Sequence, residues 1–368
     1  MQKLVDWAGP ILGWGLVALG SFAVGMDLGD FEIPGALWRL ILVWALAAAA
    51  YAIVKGQMLV FVTKRLLEAG FVIWVIATLT FMLLRFLPGG PFDAEKALPP
   101  EIKANIEAKY GLDKTLPEQY VSYITNAVKF DFGESYKYIG RSVSDIITES
   151  LPVSFQLGFY SLLLAFAIGI PLGVFAASKH NTAVDSSLMI LAISGVALPS
   201  FIVGPLLVMF FSFGVPFESL RGSLPPALWE SPIFYVLPVL TLGLRPAAII
   251  ARMTRSSMLD VIQADFVRTA KAKGVAGSVV LYKHVLKNSL IPVLTIAGPL
   301  VAGVLSGSFI VEIVFGIPGM GKHLVQSVTN RDYPLILGLT LVFSAMLVVA
   351  NLVVDLLYTV VDPRIKLS

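Results

Sequence analysis

Few residues in this 368-residue chain have types and spacing suited to chemistry. The run Gly316-Ile-Pro-Gly-Met-Gly321-Lys322-His323 nearly matches a phosphate-binding loop, in which backbone N–H groups cradle phosphate and a lysine reaches it. His323, however, stands where a Ser or Thr would hold Mg²⁺, and Pro318 interrupts the run. It also follows an apolar helical stretch instead of a strand, so an ATP site is excluded. The histidines His180, His284 and His323 are widely separated, and a metal site would need them to converge. With no cysteine, the chain has no disulfide, thiolate nucleophile or thiolate metal site. No serine, histidine and acid share a nucleophile–base spacing. The expectation is a chain without catalytic centre, metal or cofactor, and not an enzyme.

Two charges in apolar surroundings invite a functional reading. Arg245 interrupts the run 233–251, and Glu312 closes the run that begins after Lys287. A charge at the centre of a membrane helix costs at least about 2.5–3.5 kcal/mol, so it normally faces a cavity or partner. Arg245 could also snorkel to an interface, seven residues before Arg252. Both residues are candidates for a translocation pathway or gate, and Glu312 could equally hold the loop that follows it. The segment 252–290 is basic, with helices expected over Arg252–Lys273 and Ser278–Ser289, split by Gly274 and Gly277. Small residues Thr269, Ala270 and Ala272 stand just before Gly274. Small side chains let another surface approach, and the glycine permits a turn with positive φ. A basic amphipathic helix lying on anionic lipid is the alternative.

The elements that position these residues are membrane helices. The chain is 57% hydrophobic and only 14% charged, against about 25% charged for soluble domains. Its net charge of +3 is too balanced to suggest nucleic acid. A crossing needs about 20 mostly apolar residues. Eight intervals are candidates: 7–26, 40–54, 69–84, 150–178, 186–217, 233–251, 288–311 and 333–354. Ser21-Phe22-Ala23 loosely resembles a signal-peptide cleavage site, but a single leading Lys3 is a weak n-region, so a span is expected. Lysines and arginines gather after the second span, in 252–287 and in the tail, which places both termini in the cytoplasm. Gly169-x-x-x-Gly173 and Gly303-x-x-x-Gly307 fit close helix packing.

Residues 88–150 form a small extracytoplasmic subdomain in this reading. One helix, opened at Pro99-Pro100-Glu101, carries Ile102, Ile106 and Tyr110 on one face and ends at Gly111. A second carries Tyr120, Ile124 and Val128, and Phe130–Ile139 reads as a strand or extended loop. These pieces either cap the membrane domain or form a docking surface for an external partner.

The stretch Asp265-Phe-Val-Arg-Thr-Ala-Lys-Ala-Lys-Gly274, with His284-Val-Leu-Lys-Asn288 and Pro292, resembles the coupling loop of ABC importer permeases. Arg85-Phe-Leu-Pro-Gly-Gly-Pro91, Ile317-Pro-Gly-Met-Gly321 and Asp362-Pro-Arg-Ile365 look like the same family, and Ala97–Leu112 resembles its oligopeptide permease B branch. The resemblance covers about residues 60–368. It implies an all-α polytopic membrane protein: a six-helix type I importer core, two extra N-terminal transmembrane helices and the small subdomain. The corresponding segments are 1–58, 59–87, 88–150 and 151–368, with the coupling loop at 252–290. It further implies a permease subunit of an ATP-driven peptide importer in a bacterial inner membrane, surrounded by lipid. Partners would be a sibling permease, two cytoplasmic ATPase subunits that bind ATP and Mg, and an extracytoplasmic peptide-binding protein. Asp265, Phe266, Arg268, Thr269, Ala270, Ala272, Gly274, His284 and Asn288 would couple to the ATPase. Short peptides, nickel, glutathione or an antibiotic peptide remain possible cargoes. An ion-driven transporter would show inverted repeats and broken helices around a midplane site, and no repeat is visible; a membrane-embedded enzyme lacks its catalytic cluster.

Overall fold

Hydrocarbon offers no water to unpaired backbone groups, so an apolar chain that crosses it must be helical. A computed structural model describes residues 57–86, 90–92, 100–226 and 229–361, and helices dominate it. Helix α1 is Gln57–Phe86. Helices α2 (Pro100–Lys109) and α3 (Leu116–Val128) follow, then the long α4 (Val143–Ser178). Helices α5 (Ala183–Ala197) and α6 (Ser200–Phe211) form a bent pair. Next come α7 (Val236–Ile262), the short α8 (Asp265–Ala272), and α9 (Lys287–Phe315), which is entered through a π-helical stretch over Val280–Leu286. Helices α10 (Met320–Asn330) and α11 (Tyr333–Val361) complete the described chain. Residues 72–358 form one compact unit.

Among the described residues, five helices are long and apolar enough to cross a membrane, and two bent pairs raise the count to as many as seven. The two N-terminal spans expected in 1–58 lie outside the described residues, apart from the start of α1. The interval 186–217 differs from expectation. It is not one helix, because α5 and α6 meet at 111°. Pro199 disfavours helical geometry at the residue before it, and Leu198 is extended with φ −84 and ψ 123. A second bend of 86° separates the end of α9 from α10, where a loop was expected.

The subdomain also departs in detail. Gly111 ends the first helix region with φ +65, as its position suggested. On α3 the half-buried side is Tyr120, Tyr123, Ile124 and Ala127, whereas Val128 is exposed. Phe130–Ile139 forms no strand; it contributes one bridge, Glu134 to Ser142. Asp332 fixes this loop, accepting hydrogen bonds from Ser135 Oγ and from Tyr136 N at 3.1 Å. Phe81 of α1 packs its ring against Tyr120 and Tyr123, so α3 rests on the first core helix.

Helices α4 and α7 run parallel and make the most extensive helix–helix contact among the described residues. A Cβ at Gly169 would lie 2.7 Å from the Ala247 carbonyl oxygen, and one at Gly173 would lie 2.5 Å from that of Ala251. The first small-x-x-x-small pair therefore packs helices. In the second pair, a Cβ at Gly303 would meet nothing within 4 Å, so that residue does not serve a close approach. Below the contact, Val174, Ala177 and Met258 join the core that seats α8. Replacing Gly173 by Leu should force α4 from α7, at the cost of about 1–3 kcal/mol typical of overpacking. Thermal unfolding of the purified protein should show a Tm lowered by several degrees. Gly70→Ala, inside α1 at a site with open space around it, should not lower Tm, because alanine favours the helix.

Candidate functional site

Three constellations hold the residues singled out by sequence. The first is α8 with its neighbours. The chain could have continued as one helix from Arg252 to Lys273, but it breaks at Gln263 and Ala264, where Ala264 is extended (φ −67, ψ 148). No helix breaker stands there. The break lets Val267 and Ala270 turn inward onto Met258, Val280 and Val285, and tertiary packing overrides local propensity. Val267 is fully buried and Ala270 is 8% exposed. Ala270, expected to face a partner, packs here into the core of its own chain, where its small side chain fits.

The outward face of α8 carries Asp265, Phe266, Arg268, Thr269 and Ala272, all exposed. Phe266 stands 47% exposed beside these small and charged residues. Gly274 has φ +75. The N–H of Gly274 donates to the Lys271 carbonyl at 3.0 Å, and that of Val275 to the Ala270 carbonyl at 3.2 Å. This glycine-terminated Schellman arrangement stops the helix and reverses the chain. His284 is half-buried and Asn288 exposed, one turn apart; Asn288 Nδ2 donates to the His284 carbonyl at 2.7 Å. The amphipathic face of α8 is thus buried against protein, and its polar face is free.

The second constellation is a cavity of about 450 Å³ that contains Arg245. Its walls come from the α5–α6 bend (Gly195, Leu198, Ser200), from α7 (Leu242, Arg245) and from α9 (Ile296, Gly303). Arg245 is exposed to it. Glu312 is elsewhere, so the structure does not bring the two intramembrane charges together. The Glu312 side chain is fully buried at the N-terminus of α10. It accepts hydrogen bonds from Ser154 Oγ at 2.7 Å, Gly321 N at 2.7 Å and Lys322 N at 3.2 Å. Ser154 Oγ accepts in turn from Met320 N at 2.8 Å. The carboxylate thus takes up the first N–H groups of α10, which have no partner within that helix. A Cβ at Gly321 would sit 2.3 Å from Phe309 Cα, so only glycine permits this approach. The phosphate-loop-like run is consequently a helix–turn–helix corner around an internal carboxylate.

A third cluster went unnoticed in the sequence. Asp185 is 3% exposed and is held by Arg255 through two bonds of 2.6 Å, Nε to Oδ1 and Nη2 to Oδ2. The backbone N–H of Asn181 donates to Oδ2 at 3.2 Å, and His180 Nδ1 lies 3.3 Å from Arg255 Nη2. The pair fixes the first turn of α5 to the last third of α7. Seventy residues separate the partners, and only their opposite charges at adjacent membrane-helix ends could have hinted at the pairing. Among the described residues, no three His, Cys, Asp or Glu side chains could hold a metal.

Replacing Glu312 by Ala would leave the Gly321 and Lys322 N–H groups without an acceptor, and each buried orphan costs about 1–3 kcal/mol. Hydrogen exchange at those two amides should accelerate by about tenfold or more, since about 1.4 kcal/mol is a factor of ten. Exchange in α8 should be unaltered.

Comparison with known proteins places these features in a family. Residues 169–367 match the family described as binding-protein-dependent transport system inner membrane component, and residues 58–158 match its N-terminal companion. The dipeptide transport system permease protein DppB of Bacillus subtilis is 44% identical over 83% of this chain and 98% of its own length. The oligopeptide transport system permease proteins OppB of Haemophilus influenzae and Salmonella typhimurium are 42% and 43% identical, each over 84% of this chain and all of their own. The α8 turn and the α9–α10 corner fall within the matched residues, and the chain belongs to the family of binding-protein-dependent transport system inner membrane components.

Proposed function

We propose that this chain is the permease subunit of an ATP-driven importer of dipeptides or oligopeptides, and that it forms half of the translocation pathway. The observation that carries the reading is α8: a short helix anchored by Val267 and Ala270, free on its other face, and reversed at Gly274. A helix packed in this way offers Phe266, Thr269 and Ala272 to a second protein, and the names of the relatives supply the cargo class. In this reading α8 docks on a cytoplasmic ATPase, a sibling permease supplies the other half of the pathway, and residues 88–150 meet an external peptide-binding protein. Both termini lie in the cytoplasm of a bacterial inner membrane. ATP and Mg are bound by the ATPase partners, and the permease moves cargo without making or breaking a bond in it. Alternating access follows when closure of the ATPase pair displaces α8 and the helices attached to it.

The cysteine-free sequence allows a direct test. In the assembled importer, single cysteines at Thr269 and Ala272 should cross-link to the ATPase, whereas cysteines at Val267 and Ala270 should not. If neither outward position reaches the ATPase in any nucleotide state, α8 is not the coupling element. Ala270→Trp should damage the fold around α8 before it affects docking, and the loss should appear as lower protein yield.

Residues 1–57 precede both family matches. We infer that they assist assembly and take no part in transport. A chain beginning at Met58 should import peptide at within about twofold of the full-length rate per assembled complex, about 0.4 kcal/mol in free energy. A large loss of uptake with normal assembly would place these residues in the transport cycle.

A further inference from the structure

We propose that Arg245 is the point in the membrane cavity where the carboxylate of a passing peptide is recognised. The inference rests on the peptide-importer reading above and adds to it a named contact and its chemistry.

Three other charged side chains of the membrane helices are satisfied from within the fold. Asp185 has Arg255 and a backbone N–H. Glu312 has a hydroxyl and two backbone N–H groups. Arg85, near the end of α1, lies over the rings of Phe81 and Tyr333. Arg245 breaks this pattern. It projects from the middle of an apolar span into the 450 Å³ cavity, and no described residue gives its guanidinium a hydrogen bond or ion pair.

The cavity walls contain no carboxylate, and Arg245 is their single charge. Thr241 does not compensate, because its hydroxyl donates to the Leu237 carbonyl of its own helix at 2.7 Å. An isolated guanidinium in such surroundings is costly, and its cost is relieved by an anion that enters and leaves. Guanidinium geometry suits a carboxylate, which it can hold through two parallel bonds. The rest of the lining is leucine, valine, isoleucine, proline and glycine, with Ser200. Mostly apolar walls with one well-placed polar group are the usual make-up of a small-molecule site. Such a site reads a feature common to all cargoes and tolerates variation in side chains. Among linear peptides that feature is the C-terminal carboxylate; an Asp or Glu side chain presents the same chemistry.

The test uses the complete importer, with its sibling permease, ATPases and binding protein, reconstituted in neutral phosphatidylcholine vesicles. Uptake of trialanine, of trialanine amide and of Ala-Glu-Ala amide is measured for the unmodified importer, Arg245→Gln and Arg245→Lys. Each peptide is compared with itself across variants, so any preference of the binding protein cancels. Arg245→Gln should slow trialanine by tenfold or more and its amide by less than twofold, with Arg245→Lys in between. Slowing of trialanine alone identifies the terminal carboxylate, and equal slowing of Ala-Glu-Ala amide adds the side-chain source.

Equal slowing of trialanine and its amide would overturn the proposal while leaving Arg245 in the pathway. Unchanged uptake of all three would overturn it and remove Arg245 from the pathway. Loss of the co-purifying sibling permease in Arg245→Gln would also overturn it, by assigning the guanidinium to assembly. Cross-linking from Thr269 and Ala272 reports on the importer reading independently, because it does not depend on Arg245.

Discussion

The backbone-to-backbone approach of α4 and α7 is the constraint on which the rest of the structure depends. Where Gly169 and Gly173 meet the carbonyls of Ala247 and Ala251, no side chain intervenes. In lipid there is no hydrophobic gain from burying leucine against leucine, so association relies on close packing and satisfied polar groups. The contact holds α7 in place along its length, and α7 carries both Arg245 and, at its end, the turn into α8. Leu157, Leu237, Leu242 and Phe315 then close the core around the other end of the pair.

Polar groups follow the same economy. Each buried charge described above sits at a junction between elements and joins them. Asp332 ties the 130–139 loop to α11, Glu312 ties α4 and α9 to α10, and Asp185 ties α5 to α7. These are not surface ion pairs of marginal worth. Removing one member of such a set strands the others in a medium that cannot solvate them. Arg245, which joins nothing within the described chain, is informative for that reason.

Much of this was legible in the residues. Hydropathy located the core crossings, because an uncharged interval of twenty residues has few alternatives in a membrane chain. Gly274 and the small residues before it marked the α8 turn, and Glu312 beside Pro-Gly-Met-Gly suggested a held loop. Other features were hidden for physical reasons. Leu198-Pro199 was a visible break, but continuous apolarity on both sides masked it. The inward turn of Ala270 depends on Met258 and Val285, which lie elsewhere in sequence, and a small residue looks the same whether it faces its own core or another protein. The Asp185–Arg255 pair needed two helices to be placed before either side chain had a partner.

Pro246 has a consequence of a different kind. Lacking an N–H, it leaves the carbonyl of Leu242 without its partner in the helical ladder, one residue from Arg245 and midway along α7. Helices bend at such points. From there to Ile262 the helix extends about 24 Å at roughly 1.5 Å per residue. Ala247 and Ala251 lie on that arm and are fastened to Gly169 and Gly173 of α4, and the Arg255–Asp185 bond joins α5 to it, while the segment before Pro246 is seated in the Leu237 core. A load on α8 is thereby borne by the ends of three helices at once, α4 and α7 through the core under α8 and α5 through Asp185.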